Sequence, residues 1–159
     1  MSSPALLVID LQKGFVDRGM EELPRRIEVL FDRYEHLYAT RFINTRPLYE
    51  QRLGFRRVRQ SPETDLAFAP PPHMQVFSKS GYGLHGTGVI EALQTQGITQ
   101  VHLCGCDTDA CVLAAAYGLW DAGIAPFVLE HATMTSAGES SKQAALTLFR
   151  RQFGKDCII

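Results

Sequence analysis

The sequence predicts an α/β fold: a three-layer, Rossmann-like α/β/α sandwich around a six-stranded parallel sheet, in one domain over residues 1–159. Three observations predict it. Short apolar runs alternate with helical patterns along the chain, the rhythm of parallel strands joined by crossover helices. The first run, "ALLVID" (5–10), lacks polar alternation, as a strand covered on both faces does. The polar residues Asp10 and Lys79 stand at the carboxyl ends of apolar runs, where open parallel sheets bind ligands.

Each element follows from its residues. "LPRRIEVLFDRYEH" (23–36) places Ile27, Leu30, Phe31 and Tyr34 at helical spacing, with Pro24 suited to a first turn. "LYATRF" (37–42) is the second strand. Residues 43–73 carry Pro47, Pro62 and "PPP" (70–72), and read as a long excursion with room for one short helix. "MQVFSK" (74–79) is a strand and "GTGVIEALQTQG" (86–97) a helix stopped by Gly97. "QVHLCGC" (100–106) is a strand. "TDACVLAAAYGLWDAG" (108–123) is a helix expected to start on a Thr108 cap. "APFVLEH" (125–131) is a strand, "ESSKQAALTLFRRQFG" (139–154) a helix, and "KDCII" (155–159) a sixth strand.

Composition excludes several classes. The chain has 159 residues, 45% hydrophobic and 21% charged, with a net charge of −1. That balance suits a soluble globular domain and offers no basic field for nucleic acid or an anionic membrane. The run "RLGFRRVR" reads as a solvated face. No apolar stretch reaches membrane-span length. The N-terminal "MSSPALLVIDLQ" has no basic region ahead of its apolar run, so no signal peptide is expected. Four cysteines without such a signal suit a reducing compartment, and the expected location is cytoplasmic.

Three side chains at the predicted rim suggest chemistry. A thiolate, not a thiol, is the nucleophile. With Thr108 as cap, Cys111 falls in the first helical turn, where the dipole and free amides are expected to lower its pKa. Lys79 adds a cation. Asp10 can take the thiol proton and pass it to a leaving group. Free amides beside Cys111 can stabilise an oxyanion.

These residues resemble a known family. "LLVIDLQKGFVD", then "VFSKSGYG", then "LCGCDTDACVLAAAYGLWDAG" look like the isochorismatase-like cysteine hydrolases, the superfamily that includes nicotinamidases. The shared pattern falls on Asp10, Gln12, Phe15, Lys79, Gly105, Thr108, Cys111 and Val112, and its order covers nearly the whole chain. The resemblance implies the isochorismatase-like hydrolase fold, commonly assembled as homo-dimers or tetramers. It implies Cys111 as nucleophile, Asp10 as proton carrier and Lys79 as thiolate stabiliser. It also implies a cis peptide between Cys106 and Asp107, with the backbone amides of Asp107 and Cys111 as the oxyanion hole.

Nicotinamidases resemble one another in an Asp-x-His…His metal cluster after the second strand. Here that region is "ATRFINTRPLYEQRLGFRR", with no His or Asp between 40 and 60. No metal and no cofactor are therefore expected. The segment offers Arg41, Asn44, Arg46 and Tyr49 instead. Arg41, nearest the strand end, is the candidate to reach a carboxylate-bearing substrate. Phe15, Gln12 and Tyr82 complete the expected substrate-binding set, and the expected partner is a small molecule.

Two motifs are decoys. "GYGLHG" (81–86) matches Gly-x-Gly-x-x-Gly but lies in a middle unit, and reads as a loop carrying Tyr82 over the site. Cys104 and Cys106 share a strand face and read, like Cys157, as structural thiols. The leading reading is hydrolysis of a small amide by Cys111. Vinyl-ether hydrolysis through acid catalysis by Asp10, non-catalytic small-molecule binding, and thiol sensing at Cys111 stay open on the residues alone.

Overall fold

A computed structural model describes residues 3–159; Met1 and Ser2, at the head of the stretch read for a signal, lie outside the described residues. Five parallel strands form one sheet in the order β3-β2-β1-β4-β5. They are β1 (Ala5–Ile9), β2 (His36–Phe42), β3 (Gln75–Lys79), β4 (Gln100–Cys106) and β5 (Ala125–Met134). β1 is central and wholly buried, which is why its sequence shows no polar alternation.

Its side chains divide the core in two. Ala5, Leu7 and Ile9 pack into one cluster, with residues of α4 (Val89–Thr95), α5 (Leu113–Asp121) and α6 (Glu139–Phe153). Leu6 and Val8 pack into the other, with Leu23 and Ile27 of α2 (Leu23–Glu28). This is the period-two division of a strand between two covered faces. Short helices α1 (Lys13–Val16) and α3 (Pro47–Leu53) follow β1 and β2. Among the described residues no helix is long and apolar enough to cross a membrane.

Three expectations are corrected. The segment 155–159 is not a full strand: the chain turns through Lys155 and Asp156, and pairing starts only at Cys157, leaving a single bridge between Val128 and Ile158. The helix expected over 23–36 breaks after Glu28, and Phe31–Arg33 forms a tighter 3₁₀ turn before β2. The helix expected over 108–123 begins as a wide turn over Thr108–Val112, in which the Val112 amide donates to the Asp107 carbonyl at 3.1 Å. That bond spans five residues, the π-type spacing. Thr108 is no cap; its hydroxyl shares a 2.8 Å hydrogen bond with Thr133 Oγ1 under β5.

The connections place the functional rim. From β1 the chain moves outward to β2 and β3, then crosses back to β4 on the other side of β1. The crevice at the carboxyl ends of β1 and β4 is the switch point where such sheets bind ligands.

Candidate active site

Asp10 follows β1 directly and is fully buried, with φ of 47°. Asp tolerates this left-handed conformation better than most residues. Thr40 of β2 fixes it from both ends: its hydroxyl accepts from the Asp10 amide at 3.1 Å and donates to Oδ1 at 2.7 Å. Oδ2 lies 2.8 Å from Lys79 Nζ in a buried ion pair. The aligned protons of Lys79 go to the carbonyls of Gly81 and Tyr82, at 2.8 and 2.9 Å. Asp10 Oδ2 is thus held against a cation.

Lys79 ends β3, two strands from β1, a lateral span of roughly 10 Å. Its long stem covers that distance, passing with Nζ 5.8 Å from the centre of the Phe42 ring. Burial opposes its charge, but Asp10, and then Cys111, outweigh burial and hold the ammonium pKa above the ordinary lysine value.

Cys111 lies in the wide turn after β4, close enough for Asp10 and Lys79 both to act on its thiol. The expectation of an acidified thiol is corrected. Burial pushes the Cys111 pKa well above the ordinary thiol value, the Asp10 carboxylate pushes it further, and Lys79 only partly offsets them. The burial of Cys111 thus favours its thiol form.

Gly105 makes the approach of β4 possible. Its φ is 108°, and a Cβ there would stand 2.1 Å from the Ile9 carbonyl oxygen, so only glycine fits. The next peptide, Cys106–Asp107, is cis. The Cys106 thiol donates to the Asp10 carbonyl at 3.4 Å. Cys104 and Cys106 are both buried free thiols. The Asp107 carboxyl accepts from Ser136 Oγ at 2.7 Å; burial raises its pKa, while Ser136 works against that rise.

Cys106, Asp107 and Cys111 line one side of a cavity of about 300 Å³. The facing wall is largely aromatic: Phe15, Phe42, Tyr49, Phe55 and Tyr82, with Leu53 and Arg18. The rings run in contact, Phe15 on Phe55 at 6.3 Å, Phe42 on Tyr49 at 5.2 Å and Tyr49 on Tyr82 at 5.4 Å between centroids. Burial raises the Tyr49 phenol to about 12, so it remains a neutral donor.

Phe15 and Tyr82 therefore stand where a pocket wall was expected; Gln12 and Arg41 do not. Gln12 is fully buried and its amide is consumed. Nε2 donates to the Phe42 and Thr64 carbonyls at 2.8 and 3.0 Å, and Oε1 accepts from the Phe42 amide at 2.7 Å. It positions Phe42 instead of meeting substrate. Arg41 does not line the cavity. Strand alternation turns it away from the face that Thr40 and Phe42 present to the site. Thr40, Phe42, Leu53, Phe55 and Arg18 were missed. Of these only Phe42, an aromatic closing a strand, carried a signal in its position. Asn44 holds the loop bearing Phe55, donating to the Phe55 and Arg57 carbonyls at 3.1 and 3.0 Å. Arg46 Nε holds the loop after β3 through the Ser80 carbonyl at 3.1 Å.

The isochorismatase domain model matches residues 4–157. The chain belongs to the isochorismatase family. It is a hydrolase of that family, with its α/β fold. No curated protein matches the chain in a sequence search. Solved structures share the fold. The pyrazinamidase of Pyrococcus horikoshii, in complex with zinc, superposes with a TM-score of 0.82 at 22% identity, covering 99% of each chain. N-carbamoylsarcosine amidase from Thermoplasma acidophilum gives 0.79 at 23% identity, over 96% of this chain and 93% of its own. The nicotinamidase of Bacillus subtilis gives 0.79 at 17%, over 96% and 97%.

The residues that β2 and the segment after it bring to the cavity do not fit a metal. Phe42, Leu53 and Phe55 stand there and offer no ligand atoms. Among the described residues no three His, Cys, Asp or Glu side chains gather as a metal site.

Proposed function

We propose that this protein hydrolyses a small amide through a Cys111 thioester, with Asp10 carrying the proton and Lys79 stabilising the thiolate. The observation that carries this reading is the buried ion pair of Asp10 Oδ2 with Lys79 Nζ at 2.8 Å, both of which act on the Cys111 thiol. The amidase, nicotinamidase and pyrazinamidase names of the structural neighbours support an amide substrate. The cavity of about 300 Å³ suits a small molecule.

The thiol proton passes to Asp10 Oδ2 as Sγ attacks the carbonyl carbon. Lys79 offsets the negative charge that this transfer moves between sulfur and carboxylate. The tetrahedral oxyanion is stabilised by the backbone amides of Asp107 and Cys111. The C–N bond then breaks, and Asp10 returns the proton to the departing nitrogen. Water, deprotonated by Asp10, attacks the thioester; the C–S bond breaks, the acid leaves, and the proton returns to Cys111. A raised thiol pKa suits this scheme, because the thiolate is formed only as the substrate is attacked.

The test is ammonia release from a panel of small amides by wild type, Cys111→Ala and Asp10→Asn. Release by wild type that both variants lose is the expected result. Release that survives in Cys111→Ala would exclude the thioester route.

A further inference from the structure

The aromatic cavity carries one arginine on its lining, and that arginine has no ionic partner. Arg18 lines the same cavity as Cys111. It is exposed, and among the described residues it enters no ion pair. Three nearby carboxylates are held by other arginines. Asp17, its chain neighbour, is held by Arg57 at 2.6 Å, Glu63 by the same guanidinium at 2.7 Å, and Glu22 by Arg26 at 2.6 Å. Asp107, the carboxyl that shares the lining, accepts from Ser136 through Oδ2 while its buried Oδ1 has no partner; Arg18 acts on it through space but forms no ion pair with it. The Arg57 grip on Asp17 is two-pronged, with a second contact at 3.2 Å, so Asp17 is kept from closing onto Arg18.

A free guanidinium presents a planar fork of donors that matches a carboxylate. The rings of Phe15, Phe42 and Phe55 offer a surface for a flat apolar body. The two requirements meet in one ligand. We infer that the preferred substrate is an amide whose flat apolar body bears a carboxylate, held by Arg18 while the amide carbon meets Cys111. This specificity rests on the proposed role of Cys111, and it moves the carboxylate contact expected of Arg41 to Arg18. The reason is topological: Arg41 faces away from the cavity, while the turn after α1 brings Arg18 to its mouth.

The test compares benzamide with 3-carbamoylbenzoate, which differ only in the carboxylate. Wild type is expected to favour the acid by at least about 10-fold in kcat/KM. Arg18→Gln is expected to reduce that ratio about 10-fold, Arg18→Lys to restore part of it, and added salt to lower it. A wild-type ratio near one, or a ratio unchanged in Arg18→Gln, would overturn the inference while leaving hydrolysis by Cys111 intact. If neither amide releases ammonia, the role of Cys111 on such amides fails separately, and calorimetric binding to Cys111→Ala protein decides specificity. Tighter binding of 3-carbamoylbenzoate than of benzamide, lost in the Cys111→Ala/Arg18→Gln double variant, supports it. Equal binding of the two overturns it.

Discussion

Lys79 Nζ meets Asp10 Oδ2 at 2.8 Å, with the two side chains 1% and 0% exposed. The contact joins the ends of β3 and β1 across β2. Removing one partner of such a pair leaves the other charge buried and uncompensated, at a cost of about 3–5 kcal/mol. Lys79→Met is therefore expected to lower the urea midpoint strongly with little change in slope. A midpoint equal to wild type would show the pair to be solvated.

The same pair sets an alkaline limit. The folded Lys79 pKa lies above its ordinary value of 10.5. A raised folded pKa contributes stability that is fully present below the unfolded value and lost as pH rises through the folded one. Wild type should thus lose stability above about pH 10.5, and its advantage over Lys79→Met should shrink there. Urea titrations at pH 8 and pH 11 measure this. An advantage that grows with pH would contradict the sign.

Asp10→Asn should uncouple two properties of Cys111. The carboxylate is one of the groups that raise the thiol pKa, so its loss should move the iodoacetamide alkylation profile to lower pH. Turnover should nevertheless fall by roughly 100- to 10,000-fold, because the proton carrier is gone. An alkylation profile shifted to higher pH would mean that Asp10 assists the thiolate rather than opposing it.

Gly105→Ala should abolish folding of the native sheet. The added Cβ meets backbone at 2.1 Å, and no side-chain rotation relieves it. A loss above about 4 kcal/mol is expected, read as insoluble protein or a collapsed melting temperature. A soluble, cooperatively melting variant would show that β1 and β4 can separate.

Gln12→Met tests the reassignment of Gln12. It removes three hydrogen bonds, to Phe42 and Thr64, and strands their backbone groups. A stability loss of about 2–4 kcal/mol is expected, together with a higher KM as Phe42 shifts. An unchanged melting temperature with a raised KM would return Gln12 to the substrate.

Much of the fold was legible because a buried parallel strand advertises itself. β1, β4 and β5 are short apolar runs flanked by helices of regular period, and their existence followed from pattern. The rim residues Asp10 and Lys79 were legible as charged groups ending apolar runs. The start of the helix after β4 was not. A Thr with Asp near it looks like a cap, but in the wide turn the Thr108 hydroxyl pairs with Thr133 instead. The aromatic wall was hidden for a similar reason. Leu53 and Phe55 come from a stretch without strand or helix rhythm of any length, and a bond from Asn44 holds the Phe55 carbonyl.

The sequence by itself determined the alternation of strands and helices, the family pattern, and which strand ends carry Asp10, Lys79 and the Cys111 turn, because these depend on local periodicity and residue type. Only the tertiary structure decided the burial that raises the Cys111 pKa, the engagement of Gln12, and that Arg18 and not Arg41 lines the cavity. Those depend on burial, on which strand face a side chain takes, and on charges brought together from β1, β3 and the turn after β4. They are sums over neighbours distant in the chain, and no local stretch of sequence contains them.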